Sequence, residues 1–280
     1  MRTQAERGAD FRALHQGPGA FLLPNPWDVG TARMLAQLGF AALATTSAGF
    51  ALSLGQRDNS VGRDRMMAHV AAIAGATELP VSGDLENGFG DDPEMVAEAI
   101  RLAAKAGLVG ASIEDSTSDP DNPIHAHDLA VERIRAAADA AHALAFPFTL
   151  TARAENHLVG RADLADTIKR LQAYQAAGAD VLFAPGLTEA RDIASVVGSV
   201  DRPVNVLVGL KGRSMSLEAL SQLGVKRVSV GSALCRAALG AFLGAAREMR
   251  DQGTFEFATD TVSLDVATAM FDPWSSQVRS

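Results

Sequence analysis

Three short apolar runs in this chain break off into acidic residues. PVSGDLE (80–86) ends in Asp84 and Glu86, GASIED (110–115) in Glu114 and Asp115, and FTLTARAE (148–155) in Arg153 and Glu155. In extended backbone, residues i and i+2 share a face, so Asp84 and Glu86 point one way, whereas only one of Glu114 and Asp115 faces a common site. Asp58, in QRDNS (56–60), adds a further carboxylate. Carboxylates converging on one point repel unless a cation shares the site. Oxygen donors without a His or Cys cluster suit Mg²⁺, or Mn²⁺, with water and substrate completing an octahedron. Asp84 and Glu86, just ahead of Gly88-Phe89-Gly90, are the candidate metal ligands, with Glu114 and Asp58 beside them; Asp115 reads as structural. Any one of these acids can instead cap a helix or pair with a basic residue. Arg153 is the one cation at these run ends, and its planar fork suits an anionic substrate such as a carboxylate. Its alternative is an ion pair with Glu155.

Small residues follow other runs. Ser47-Ala48-Gly49 offers backbone N–H groups that can cradle an anion. Gly209-Leu210-Lys211-Gly212 and Val230-Gly231-Ser232 read either as phosphate loops or as plain turns. The polar, proline-broken segment 116–128 (STSDPDNPIHAHD) follows Glu114 directly and reads as a lid that excludes water. His125 and His127 within it are candidate proton donors, against the simpler reading of solvated loop histidines.

The elements that position these residues share a grammar. LAQLGFAALATT (35–46), AAKAGLVGASIED (103–115), AYQAAGADVLFAPG (173–186) and LSQLGVKRVSVGS (220–232) each run from a helix end through a glycine into an apolar strand. Gly39, Gly107, Gly178 and Gly224 suit the left-handed position that closes a helix. FLLPN (21–25), PVSGDLE, FTLTARAE and PVNVLVG (203–209) complete eight strands. Between them, Asp92 and Pro93 open a helix with a stripe of Met95, Ala99, Leu102 and Ala106. A second helix places Leu164, Ile168, Leu171 and Gln175 on neighbouring turns, beside Tyr174. Eight strands alternating with helices predict one (β/α)₈ TIM-type barrel domain over 1–280, with the barrel at about 20–250 and a C-terminal helical tail at about 254–280. A doubly wound open sheet is the alternative, disfavoured because no GxGxxG follows the first strand.

The chain has 280 residues, 48% of them hydrophobic, enough for a full core without staples. A net charge of −8, spread along the chain, argues against nucleic-acid binding, which needs a concentrated basic face. A single cysteine, Cys235, excludes an internal disulfide and fits a reducing, cytoplasmic setting. The charge-free stretch from Met34 to Gln56 is long enough to span a membrane, but its glycines and broken periodicity read as helix end, strand and loop. No signal peptide and no membrane partner are expected.

TTSAGFALSLGQRD (45–58), GDLENGFG (83–90), GASIED (110–115), TARAE (151–155) and GADVLFAPG (178–186) together resemble the isocitrate lyase/phosphoenolpyruvate mutase superfamily, of the carboxyvinyl-carboxyphosphonate phosphorylmutase-like kind, from about Leu23 to about Arg250. The resemblance implies a (β/α)₈ barrel whose last helix is exchanged between subunits of a homo-oligomer, a dimer or tetramer. It implies a lyase-type enzyme that uses Mg²⁺ to hold a small 2-oxo or 2-hydroxy dicarboxylate, or a phosphonate, and breaks a C–C or P–C bond through an enolate. By the same likeness Asp84 ligates the metal directly, Asp58, Glu86 and Glu114 hold its waters, and Asp58, Glu114 and Arg153 serve catalysis. Ser47, Ala48, Gly49 and Arg153 would bind the anionic ends of the substrate, and Asn122 falls where mutases carry a lid asparagine. Two departures stand out: Asp84-Leu85-Glu86 replaces the usual DxD, and the lid lacks the KKCGH-type motif of isocitrate and methylisocitrate lyases. Cleavage of those two tricarboxylates is therefore not expected. A non-catalytic metabolite-binding homologue, a phosphonopyruvate hydrolase or mutase, and a Schiff-base enzyme using Lys211 are the competing readings.

Overall fold

The computed structural model describes residues 2–117, 119–209 and 215–275. Lys211, and with it the Schiff-base reading, lies outside them. The strands are β1 (Phe21–Leu23), β2 (Leu43–Ala44), β3 (Val81–Asp84), β4 (Gly110–Glu114), β5 (Thr149–Arg153), β6 (Val181–Phe183), β7 (Val204–Leu207) and β8 (Arg227–Ser229). The helices are α1 (Gln4–Gln16), α2 (Val29–Gln37), α3 (Ser47–Ser53), α4 (Arg63–Ala76), α5 (Pro93–Lys105), α6 (His127–His142), α7 (Leu164–Ala176), α8 (Ala190–Gly198), α9 (Leu217–Gln222), α10 (Ala233–Gln252), α11 (Leu264–Ala269) and α12 (Asp272–Ser275).

All neighbouring strands pair in parallel in the order β1-β8-β7-β6-β5-β4-β3-β2. The remaining seam is crossed by the Ala44 N–H, which donates to the Pro24 carbonyl at 3.1 Å. The sheet thus returns on itself as a TIM-type barrel, and the doubly wound alternative is set aside. Gly39, Gly107, Gly178 and Gly224 all take positive φ, as their helix-closing role requires. Gly178 has a second reason: at φ +108° a Cβ there would lie 2.8 Å from the Ala138 Cβ on α6.

Helices cover the outer wall through alanines and branched residues such as Ile100, Ile134 and Leu171. On α5 the buried stripe is Val96, Ala99, Ile100 and Ala103, while Met95 is 42% exposed; the core side lies one residue on from the expected stripe. On α7 the buried residues are Thr167, Arg170, Leu171 and Tyr174, with Leu164 and Ile168 only partly covered. Arg170 is drawn inward by Asp115, whose Oδ2 accepts its Nη1 at 3.0 Å. Asp92 caps α5 as expected, accepting the Glu94 N–H at 2.8 Å.

Below the barrel, α1 closes the floor. Thr3 and Glu6 form a reciprocal capping box, and Phe11 reaches a small cluster with Leu23, Ala42 and Val109. The charge-free stretch becomes the end of α2, β2 and the short helix α3 rather than a loop. Among the described residues no helix is long and apolar enough to cross a membrane.

Candidate active site

The C-terminal strand ends open into a cavity of about 1150 Å³. Its lining includes Ser47, Ala48, Asp58, Asp84, Glu86, Glu114, Arg153 and Glu155, so most of the predicted constellation shares one space. Many of the inward strand positions around it, Ser82, Ser112, Thr151, Asn205 and Ser229, are small or polar where barrels usually carry bulky branched residues. That substitution leaves the interior hollow.

Asp84 is held from two sides. Its Oδ2 accepts both the N–H and the Oγ–H of Ser47 at 3.0 Å, and its Oδ1 accepts Nη1 of Arg153 at 3.0 Å. Its own N–H donates to Thr45 Oγ1 at 2.9 Å, tying β3 to the end of β2. Arg153 is shared further: Nη1 lies 2.9 Å from Glu114 Oε2, and Nε donates to Glu155 Oε1 at 3.0 Å. The guanidinium carbon sits 5.2 Å from the centroid of the Phe183 ring. Burial works against the arginine's charge, but Glu114, Glu155 and Asp84 hold its pKa above the usual range. The pair with Glu155 is thus present, as one of three.

For the acids around it, burial and mutual repulsion outweigh what Arg153 offsets. Burial pushes Glu86 up to about 8, with Asp84, Asp58 and Glu114 adding repulsion, and its Oε1 is buried without a hydrogen-bond partner. Asp58, exposed at the rim, is also raised, first by partial desolvation in the mouth and then by Asp84. Glu114 is raised by burial despite Arg153, and accepts the Ser116 hydroxyl at 2.6 Å. Glu86 reaches the cavity by bent backbone, not by strand alternation: β3 ends at Asp84, and Glu86 takes φ +53°. Phe89 follows at φ +65°, and the buried Arg133 of α6 fastens this loop by donating to the carbonyls of Asn87 and Gly90.

Asp115 faces away, as expected. It accepts the Glu155 N–H at 2.8 Å, Arg170 Nη1 at 3.0 Å and the Tyr174 hydroxyl at 2.6 Å, which locks the strand ends to α7.

Other predicted residues lie elsewhere. Gly49 does not line the cavity, and its N–H donates to Thr46 Oγ1 at 3.2 Å. With the Ser47 N–H spent on Asp84, the expected backbone cradle at 47–49 has two of its three donors already engaged. Asn122 donates to Asp119 Oδ2 at 3.0 Å on an outer depression that it shares with Asp91 and His125. His125 is buried, not solvated, because its carbonyl accepts Arg170 Nη1 and its Nε2 lies 3.6 Å from Asp91 Oδ1; burial lowers its pKa. His127 opens α6 with Nδ1 3.1 Å from Asp128 Oδ1. The segment after Glu114 does border the mouth, through Ser116, Thr117, Asp119, Pro120 and Pro123.

Two inward residues escaped the sequence reading, Asn205 and Arg227. Their signal was present: Arg227 and Ser229 alternate with valines in VKRVSVG, and Asn205 interrupts the apolar run PVNVLVG.

A hard divalent cation fits this donor set. It offers several carboxylate oxygens, among them the unpartnered Oε1 of Glu86. Among the described residues no three His, Cys, Asp or Glu side chains converge closely enough to grip one ion directly. One or two direct carboxylates with water between the ion and the others is the habit of Mg²⁺.

The chain is similar to known enzymes. A crystal structure provisionally assigned as a lyase/mutase, from Burkholderia cenocepacia J2315, is 62% identical, with a TM-score of 0.94 over 96% of both chains. The 2-methylisocitrate lyase of Escherichia coli is 29% identical over 70% of this chain and 68% of its own. The oxaloacetate decarboxylase of Chromohalobacter salexigens is 25% identical over 95% of this chain and 93% of its own. The Phosphoenolpyruvate phosphomutase family profile matches residues 11–250. The chain belongs to that family, within the isocitrate lyase/phosphoenolpyruvate mutase superfamily, whose members are lyases and mutases.

Proposed function

We propose that this protein is a Mg²⁺- or Mn²⁺-dependent lyase that cleaves a C–C bond of a small 2-oxo or 2-hydroxy dicarboxylate. The observation that carries this reading is one guanidinium, Arg153, shared by Asp84, Glu114 and Glu155 while Asp58 and Glu86 line the same cavity. So acidic a mouth repels an anionic substrate until a cation joins it. Asp84 would hold that ion, with Glu86, Glu114 and Asp58 as further oxygen donors. When bound it supplies Lewis-acid stabilisation of the charge that develops on the substrate oxygen.

The chain's own residues then have separable tasks. Ser47 fixes the rotamer of Asp84 through two bonds to one oxygen. A bound cation would take over part of the charge that Arg153 now neutralises, freeing donors of its fork for the substrate carboxylate, with Phe183 backing its plane. Ser116, Thr117, Asp119, Pro120 and Pro123 border the mouth and keep bulk water from it. Proton exchange falls to Asp58, Glu114 or water, because neither lid histidine lines the cavity.

Asp84→Ala is expected to abolish Mg²⁺ binding by calorimetry and to lower turnover at least about 10³-fold, on the scale of lost electrostatic stabilisation. The assay is Mg²⁺-dependent release of pyruvate or glyoxylate from a panel of 2-oxo and 2-hydroxy dicarboxylates, with phosphonopyruvate included. Full activity in Asp84→Ala removes the metal reading, and metabolite binding without turnover of any acid leaves a binding protein.

Isocitrate and 2-methylisocitrate belong in the panel as expected non-substrates. The one thiol, Cys235, is buried in α10, with Sγ 3.7 Å from the Gly49 carbonyl, so the lid holds none. Proton delivery by a positioned acid contributes roughly 10²–10⁴-fold. Neither tricarboxylate should turn over near 1 s⁻¹, a rough floor for ordinary enzymes, and Cys235→Ser should leave activity on the true substrate intact.

We further propose that the working form is a homo-oligomer that exchanges its C-terminal helices, since a partner is needed to cover α10.

A further inference from the structure

Beneath the acidic mouth the barrel holds a second arginine that the proposed chemistry leaves idle. Arg227 begins β8, is 3% exposed, and reaches across the barrel to β5, where Thr151 Oγ1 accepts from Nη2 at 3.0 Å. Thr151 precedes Arg153 by two residues on the same strand face. The tip of Arg227 therefore ends about one pleat repeat, roughly 7 Å along β5, below the root of Arg153.

Every partner of Arg227 is neutral. Its Nε donates to Asn205 Oδ1 at 2.9 Å, and its Nη1 lies 3.5 Å from His15 Nε2. His15 is uncharged: burial, then Arg227 itself, pushes its pKa down to about 3. His15 Nδ1 lies 2.8 Å from the Phe11 carbonyl, so the proton sits on Nδ1 and Nε2 offers a lone pair to the arginine. Among the described residues no carboxylate lies within ion-pair distance of Arg227. Burial lowers its pKa to about 9, which leaves it charged at neutral pH. A buried charge without a counter-charge is costly and rarely kept without use.

The surroundings are shaped to share an anion with it. Asn205 Nδ2 donates to Ser229 Oγ at 2.9 Å, which leaves the Ser229 hydroxyl proton free to point elsewhere. Arg227, Asn205 and Ser229 line the same cavity as Arg153 and the carboxylates. The ladder joins them, because Arg153 is in register with Phe183, Phe183 with Asn205, and Asn205 with Arg227.

We propose that the cavity floor is an anion subsite, in which Arg227 and the Ser229 hydroxyl, braced by Asn205, take a carboxylate-sized monoanion below Arg153. The proposal rests on the functional reading above and deepens it: the occupant is the far carboxylate of the substrate, so the floor selects acids long enough to reach it. A free halide is the other source of the same chemistry.

The test uses the full chain, wild type, Arg227→Met and Arg227→Lys, each first checked for native thermal unfolding. Calorimetry with saturating Mg²⁺ follows oxalate, malonate, succinate and glutarate, and crystals are soaked in bromide. The expected result is wild-type affinity that rises with chain length. Arg227→Met should keep oxalate within about twofold, lose the longer acids by tenfold or more, and recover part of that loss as lysine. Bromide should occupy the floor of the wild type and be absent from Arg227→Met. Bromide at the floor with no dependence on acid length keeps the subsite and assigns it to a free anion. Equal binding of every acid and of bromide by wild type and Arg227→Met overturns the proposal, as does a uniform loss that includes oxalate and that lysine does not restore. If the wild type binds no acid even with Mg²⁺, the functional reading fails, while bromide still decides the floor: its presence supports the subsite and its absence overturns it.

Discussion

Glu86 is the residue on which charge, backbone and burial disagree most. It is 6% exposed, sits at φ +53°, and one carboxylate oxygen has no partner. In an unfolded chain its pKa returns to an ordinary glutamate value, near 4.5, whereas burial and the neighbouring acids set it at about 8 in the fold. Between these values the folded state holds a proton that the unfolded state has released. Stability contributed by this group is therefore greatest on the acid side and declines as pH rises toward 8. The metal-free protein should lose stability on the order of a few kcal/mol between pH 5 and pH 8. Urea denaturation in chelator, repeated across that range, reads the slope. Glu86→Gln should flatten it, and saturating Mg²⁺ should offset it because the ion competes with the proton for the same oxygens. An unchanged slope in Glu86→Gln would assign the pH dependence to other acids.

One element decides whether Glu86 can hold that pose. Arg133 on α6 is 1% exposed and spends its guanidinium on the carbonyls of Asn87 and Gly90, on either side of Gly88 and Phe89. Arg133→Met would remove both charge-assisted bonds and leave two carbonyls short of a donor, a loss of about 3 kcal/mol. The freed loop would let Glu86 relax from its left-handed backbone, so Mg²⁺ affinity should fall several-fold, with partial recovery in Arg133→Lys. Calorimetry beside urea denaturation separates the two effects, and a stability loss with unchanged Mg²⁺ affinity would limit Arg133 to holding the fold. This clamp was illegible in the sequence because Arg133 lies 43 residues from Gly90 and meets it only when α6 lies beside the β3 loop. What was legible was local. Helix-closing glycines announced Gly39, Gly107, Gly178 and Gly224, and strand-end charges announced Asp84, Glu114 and Arg153 as cavity residues. Helix faces were harder: on α5, Met95 and Val96 are both apolar, and only the barrel wall decides which of them turns inward. His125 failed for a related reason, since Arg170, 45 residues away, together with the Asp115 carbonyl draws its segment inward. The capping-box signature Thr3-x-x-Glu6 was readable, yet α1 passed unnoticed because its sequence shows no clear apolar stripe.

At the scale of the whole molecule, the barrel is incompletely dressed. A parallel barrel needs helices over its entire outer wall, yet Leu22 on β1 is 39% exposed. Helix α10 follows β8 and should cover that stretch, but Cys235 is the only one of its residues that is buried. Phe242 is 65% exposed, and Leu243 and Met249 stand beside it in solvent. The tail repeats the pattern with Phe255, Leu264 and Val266. Twenty helical residues span about 30 Å, so α10 and the tail expose more apolar surface than a lone soluble chain commonly carries. A symmetric partner that offers its own α10 in return would cover both surfaces at once. The chain should therefore run as a dimer or larger assembly at micromolar concentration in light scattering, with thermal stability that rises with concentration. Replacing Phe242 and Leu243 together by aspartate puts charge on that face while leaving every cavity residue in place. The double variant should run as a monomer and unfold at lower temperature, because Leu22 and the wall around it lose their cover. A wild-type chain that stays monomeric at tens of micromolar, or a double variant that assembles and melts like the wild type, would show that the barrel tolerates its bare flank.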